Sequence, residues 1–256
     1  MILLVNDDGV DHPGLRAMYG ALRRRLGKPV VVVVPALQRS GQAHAITLDR
    51  ALPVSSRLDG DFFAFVVDGT PTDCVKLGLT TIMPEKPQLV VSGINDGANC
   101  GRSLFYSGTV GAALEAAVEG HASMAVNRDH GSGGFEAAAD LAAEVASWLI
   151  GRSEYRGRTV NLNIPAGERE RWQPLLVAKH GHSGFRESYR AVRENRDQLA
   201  WRLHGDWVAA ADDGDSDAHR LAAGHPVLTL LRPDLNDDQE TLRKLVSRRS
   251  PTVGQF

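Results

Sequence analysis

The stretch Met1–Val10 reads MILLVNDDGV. Ile2–Val5 is a short aliphatic run without polar alternation, the pattern of a parallel strand covered on both faces. It runs into Asn6, Asp7, Asp8 and Gly9, after which Leu15, Met18, Leu22 and Leu26 recur at helical spacing. A strand, a polar loop and a helix in that order begin a βαβ unit. The unit repeats outward along the chain. Val30–Val34 is continuous and apolar, and Pro35 closes it. Phe62–Val67 leads into Asp68-Gly69-Thr70-Pro71, which places Thr70 as an N-cap, Pro71 at the first helical position and Asp73 in the first turn. Leu89–Val91 opens the loop Ser92–Gly101, and Ser107-Gly108-Thr109 precedes a helix over Val110–Glu119. A strand at Met124–Val126, a helix at Phe135–Leu149 and a strand at Val160–Ile164, stopped by Pro165, continue the alternation. The pattern predicts an α/β fold with a mostly parallel sheet and helices on both faces.

The last third changes character. About residues 172–208 hold Trp172, Tyr189, Trp201 and Trp207 among many charges without a helical period, which reads as a protruding hairpin arm. A helix at Asp217–Ala222, a strand at Val227–Leu231 and a short charged helix near Gln239–Val246 complete the chain. With 256 residues, no internal repeat and no low-complexity linker, the expectation is a single domain over 1–256 carrying an arm.

Composition narrows the function. Lys and Arg number 29 against 31 Asp and Glu, so no basic footprint supports binding to a nucleic-acid duplex. Two cysteines cannot form a disulfide framework and fit a reducing cytoplasm. The longest aliphatic run falls far short of the roughly 20 residues that span a bilayer, so no membrane role is expected. The first residues lack a basic segment and meet two acids early, unlike a signal peptide.

In an open parallel sheet, ligands bind beyond the carboxyl ends of the strands, so the loops after strands are the candidate site. These loops gather Asp7 and Asp8, then Ser40, then Asn95 and Asn99, then Ser107, Gly108 and Thr109, with glycines between them. Adjacent carboxylates after an apolar strand repel unless a positive group neutralises them, and a hard divalent cation prefers such oxygen donors. Ser40 and Asn95 could supply neutral oxygens. The alternative is a plain Asx turn at Asp7-Asp8-Gly9. Ser107-Gly108-Thr109 at a helix start suits a phosphate, or serves as an ordinary cap. Other signatures are missing: there is no GK[ST] ending, no dinucleotide fingerprint and no G-x-S-x-G elbow. The D-x-D-x-[TV] signature of aspartate-nucleophile phosphatases fails because its first position is Asn6. His180 and His182 make a poor zinc site, His44 close to Ser40 reads as a loop histidine rather than the alternative of a proton shuttle, and Cys74 and Cys100 read as buried fillers.

In order, NDDGV-x-x-PGL, RSG-x-x-x-AIT, DGTP-x-DCV, SGIN-x-G-x-N-x-G and YSGTVGAA-x-E resemble the SurE family of stationary-phase survival proteins. The likeness continues through Asn161–Pro165, Trp201–Gly205 and Asp215–Leu231. It implies a Rossmann-like three-layer sandwich and a divalent-metal-dependent phosphatase acting on nucleoside 5'- and 3'-monophosphates. It further implies one Mg²⁺ or Mn²⁺ held by Asp7, Asp8, Ser40 and Asn95, with Asp7 and Asp8 catalytic. Asn99, Ser107, Gly108 and Thr109 would surround the substrate phosphate. A homodimer or homotetramer formed through the arm and the C-terminal region is also implied. Val10-Asp11-His12-Pro13, Gly101-Arg102-Ser103 and Thr229-Leu230-Leu231 depart from the family's usual residues.

Overall fold

The computed structural model describes residues 1–193, 199–210, 214–237 and 239–249, with side chains except at 193 and 247–249. Strand β1 (Ile2–Val5) lies in the interior of a sheet of nine strands among the described residues, fourth from one edge. On one side follow β2 (Val30–Pro35), β4 (Phe62–Val67) and, antiparallel at the edge, β3 (Val54–Asp59). On the other side come β5 (Leu89–Asp96), β6 (Ala122–Arg128) and β7 (Arg158–Ile164), then β11 (Val227–Leu231) and the two-residue β8 (Leu176–Val177). From β4 to β7 every neighbouring pair is parallel, and β11 runs antiparallel to β7.

Alternation along β1 shows why both sheet faces are apolar. Ile2 and Leu4 pack with α1 (Pro13–Leu26) and α4 (Glu136–Leu149) through Leu15, Met18, Leu22, Ala138 and Leu141. Leu3 and Val5 face the opposite layer, with Cys74 and Val75 of α2 (Pro71–Leu77) and Ala112 and Ala116 of α3 (Gly108–Val118). Two helical layers around one sheet give the expected three-layer sandwich. The start of α2 is a capping box: Thr70 Oγ1 accepts the Asp73 N–H at 3.0 Å, and Asp73 Oδ2 accepts the Thr70 N–H at 2.9 Å.

Among the boundaries that differ from the sequence reading, three bear on the site or the arm; β6 and β7 are only longer than expected. The stretch Ser92–Asp96 is strand, not loop, because β5 continues through a register shift against β6 between Ser92 and Asn95. Gly93 makes that continuation feasible: a β-carbon there would collide with the Val126 carbonyl oxygen. The arm is shorter than residues 172–208. Among the described residues, only β9 (Gly184–Arg193) and β10 (Leu199–Val208) form the separate antiparallel ribbon; 194–198, also within the expected arm, lie outside the described residues. Residues before Gly184 return to the main sheet, where β8 pairs with β11. Helix α3 begins at Gly108, two residues before Val110. The helices α5 (Asp217–Ala222) and α6 (Glu240–Arg249) stand where expected.

Candidate active site

The chain moves from β1 outward through β2 to β4, then returns to place β5 on the other side of β1. Strand order therefore reverses between β1 and β5, and loops leaving in opposite directions open a crevice at the carboxyl ends. The Asp7-Asp8 segment leaves β1 at that point.

Asp7 is buried, and its Oδ1 accepts the Thr109 hydroxyl. Burial raises its pKa to about 6; the neighbouring Asp8 charge adds to the rise, while the Thr109 hydrogen bond opposes it. The Asp8 side chain is 5% exposed. Its oxygens accept two long hydrogen bonds, 3.3 Å from Gln38 Nε2 and 3.3 Å from the Asp96 N–H. His12 Nδ1 stands 3.8 Å from Asp8 Oδ2, but that nitrogen accepts the Gly14 N–H at the start of α1. Arg39, the arginine beside Ser40, is drawn to Asp68 at 3.1 Å. Among the described residues, no Lys or Arg pairs with Asp7 or Asp8.

Ser40 joins the carboxylates through Gln38, whose Nε2 donates to Ser40 Oγ at 3.1 Å as well as to Asp8. The loop is further tied to β1 by the Arg39 N–H on the Asp7 carbonyl at 2.7 Å. Asn95 sits near the end of β5, next to Asp96. Its Nδ2 donates to the Gly97 carbonyl at 2.7 Å, which leaves Oδ1 as its acceptor. Ser107 caps α3, with Oγ accepting the Val110 N–H at 3.1 Å. Gly108 then offers its main-chain N–H at the positive end of the helix dipole. It lies so close to Asp7 that a β-carbon there would stand 3.1 Å from Asp7 Oδ2.

Asn99 stands apart from this group. Its Nδ2 donates to Asn127 Oδ1 at 2.7 Å, its N–H to Asn163 Oδ1 at 2.8 Å, and its carbonyl accepts from Asn161 and Asn163. The recorded bonds of Asn99 thus hold its loop in shape rather than joining the carboxylates.

The donor set fits a hard divalent cation. Among the described residues no three His, Cys, Asp or Glu gather in a metal-holding group. A cation here would be held by two carboxylates completed by amide and hydroxyl oxygens, which suits Mg²⁺ or Mn²⁺. The buried Asn6 Oδ1, which has no hydrogen-bond partner, lies in the same segment. The His180 ring instead meets the Gly101 carbonyl at 2.9 Å, a structural contact.

Three features escaped the sequence reading. Gln38 carries no signal beyond lying two residues before Ser40. Asn127, Asn161 and Asn163 occupy apolar strand positions, and such polar interruptions could have marked them as a buried network. His44 is not an idle loop histidine: its Nε2 meets the buried Glu115 at 2.6 Å, and Lys76 binds the other Glu115 oxygen.

Fold and site together define an open α/β protein with an oxygen-rich acidic crevice at its switch point, beside a helix N-terminus. Residues 2–187 match the family model described as Survival protein SurE. The chain belongs to the SurE family. It is 40% identical over 244 residues to the 5'-nucleotidase SurE of Desulfovibrio desulfuricans, covering 93% of this chain and 95% of that one. It is 37% identical over 249 residues to the 5'-nucleotidase SurE of Symbiobacterium thermophilum, covering 95% and 97%. The crystal structure of the SurE protein from Aquifex aeolicus superposes with a TM-score of 0.81 at 30% identity, covering 97% of this chain and 99% of the other.

Proposed function

We propose that the chain is a divalent-metal-dependent phosphatase that hydrolyses nucleoside monophosphates to nucleoside and inorganic phosphate. The 5'-monophosphates are its first substrates, and 3'-monophosphates a second set to assay. Family membership and relatives named 5'-nucleotidase support the activity. The carrying observation is the adjacent pair of buried Asp7 and Asp8, whose side chain is 5% exposed, with no Lys or Arg partner among the described residues and beside the start of α3. Such a pair is stable as two anions only with a cation between or beside them.

Asp7, Asp8, Ser40 and Asn95 would hold one Mg²⁺ or Mn²⁺ per subunit. The chemistry such a cation brings when bound is charge for the phosphoryl oxygens and a more acidic water. Asp7 and Asp8 hold the acidic side of the crevice, and one of them takes the proton of the attacking water. Thr109 fixes the Asp7 carboxylate through its hydroxyl. The Gly108 N–H, with Ser107 and Thr109, would steady phosphate oxygens at the helix start, with Asn99 contributing from the neighbouring loop that its own bonds hold in shape.

The arm supports assembly into a homodimer or homotetramer. Phe185, Tyr189, Trp201, Leu203 and Trp207 are exposed, and the register puts them on one face of a two-stranded ribbon. An isolated hairpin with an open apolar face is marginal in water without a partner surface. The exposed Leu242, Leu245 and Val246 of α6 extend the argument to the C-terminal region. No helix of the described residues is long and apolar enough to cross a membrane. A cytoplasmic location is supported by Cys74 and Cys100, both free and buried.

The test is phosphate release from a nucleoside-monophosphate panel with Mg²⁺ or Mn²⁺, then with EDTA. Asp8→Asn should lose activity and keep its circular dichroism spectrum. Turnover untouched by exhaustive chelation would reject the metal reading, and tight nucleotide binding without turnover would indicate a sensor instead.

A further inference from the structure

Asp217 is a fully buried carboxylate that the proposed chemistry does not use. No Lys or Arg pairs with it among the described residues; its oxygens instead accept main-chain N–H groups. Gly101 N–H reaches both of them at 3.2 Å, Gly181 N–H reaches Oδ1 at 3.1 Å, and the Ala218 N–H completes the set at 2.8 Å. Asp217 also donates its own N–H to the Lys179 carbonyl at 2.8 Å. From the other side, His180 Nε2 contacts the Gly101 carbonyl at 2.9 Å, and the Arg102 N–H binds the Ser183 carbonyl at 2.7 Å. Both polar groups of the Gly101 backbone are therefore gripped by residues from the last third of the chain. Gly101 lies two residues after Asn99 and opens the turn Gly101–Tyr106 that delivers Ser107 to α3. Residues 179–183 lead directly into β9, the first strand of the arm.

We propose that Asp217 and His180 are positioning residues for substrate. They clamp Gly101 between the base of the arm and α5, and so set where Asn99 and the Ser107–Thr109 segment meet the phosphate. The clamp rests on the phosphatase reading above, because it positions the segment assigned there to the substrate. The metal-holding residues are not gripped by it: Asp7, Asp8, Ser40 and Asn95 are tied together through Gln38, Arg39 and Asp96. The Thr109 hydroxyl on Asp7 links the positioned segment to that site, so the two are told apart by comparing the phosphate Ki with the Mn²⁺ Kd, which should change far less.

Asp217→Asn replaces one acceptor oxygen with an N–H₂ group that faces main-chain N–H donors. A lost hydrogen bond to a charged group corresponds to a change of about tenfold or more. In the metal-loaded full-length protein, the KM for nucleoside monophosphate and the Ki of inorganic phosphate should both rise about tenfold. At the same time kcat should stay within about threefold, and the Mn²⁺ Kd, read by electron paramagnetic resonance without substrate, should change by no more than about twofold, far less than the phosphate Ki. A merely structural loss gives the opposite split, a lower kcat at constant KM from fewer folded molecules. His180→Ala should show a smaller change of the same kind, and His180→Gln, which keeps a donor, should restore it. Should Asp217→Asn fail to fold, the two His180 variants carry the test. Hydrogen exchange at the Gly101 amide reads the clamp directly and should accelerate in Asp217→Asn. Unchanged KM and phosphate Ki in an active protein would overturn the clamp alone. A wild type without metal binding or turnover would instead remove the reading beneath it.

Discussion

Gly111 occupies the second turn of α3, where alanine would ordinarily favour the helix by about 1 kcal/mol. Here the helix passes under the loop that carries Ser40. A β-carbon on Gly111 would stand 2.8 Å from the Ala43 carbonyl carbon and 3.1 Å from His44 Cα, and closer still to the Ala43 oxygen. Ordinary carbon–carbon contact lies near 3.5–4.0 Å, so the loop must retreat by about 1 Å. It is held where it is by the Ala43 N–H on the Tyr106 carbonyl at 3.1 Å and by His44 against Glu115 at 2.6 Å. Weakening those bonds and overpacking the interface costs about 2–3 kcal/mol, which the helix gain offsets by about 1, leaving a net loss of about 1–2 kcal/mol. For a chain of this size that is a fall in Tm of roughly 2–8 °C. Gly111→Ala should therefore be less stable in urea and thermal unfolding, and should bind Mn²⁺ more weakly because Ser40 moves with the loop. Gly20→Ala in α1 is the control. There only the flexible end of Arg24 stands near, so the helix gain of up to about 1 kcal/mol should be realised. A Gly111→Ala protein as stable as wild type, or stabilised like Gly20→Ala, would refute the packing argument.

Stripping the metal should destabilise the protein, by about 2.7 kcal/mol relative to cation at a hundredfold excess over Kd, as read by Tm with and without EDTA. In the metal-free protein Asp7 is raised from 3.8 to about 6 by burial, so between these values the native state binds the extra proton. Its stability should fall as pH rises through that window, and a rise there would contradict the assignment. Thr70→Ala should cost about 1 kcal/mol in denaturant unfolding through loss of the α2 cap. Burial opposes ionisation of Asp73, but hydrogen bonds from Thr47 and Thr70 outweigh it and hold its pKa below 3.8. The stability Asp73 contributes should be present above pH 4 and lost as pH falls further, so Asp73→Asn should differ most from wild type near neutrality. Replacing Tyr189 and Trp201 together with Ser should lower the molar mass by light scattering, and an unchanged mass would separate the arm from assembly.

Much of the fold was legible because its signals are local. Aliphatic runs, helical spacing and the Thr70-Pro71 start depend on near neighbours, and the strands and helices fall where those patterns lie. β3 was not legible. Val54–Asp59 is exposed on both faces, so its Val54 and Leu58 mark no core side, and only its register against β4, from Val54 opposite Val67 to Asp59 opposite Phe62, makes it a strand. β8, two residues long, has no period to detect.

The candidate site divides in the same way. The order of loops after parallel strands already pointed to Asp7, Asp8, Ser40 and Asn95, since such a sheet delivers its strand ends to one edge. Asn99 was grouped with the phosphate contacts, whereas its recorded bonds run to Asn127, Asn161 and Asn163. By itself, the sequence determined the alternation of strand and helix, the family resemblance and which oxygen-bearing loops stand at the strand ends. Only the tertiary structure decided that Asp7 is buried enough to titrate near 6, that Gln38 spans Asp8 and Ser40, and that Asp217 grips Gly101 from 116 residues away. Burial and through-space hydrogen bonds depend on what the rest of the chain brings alongside a residue, and no local pattern encodes that.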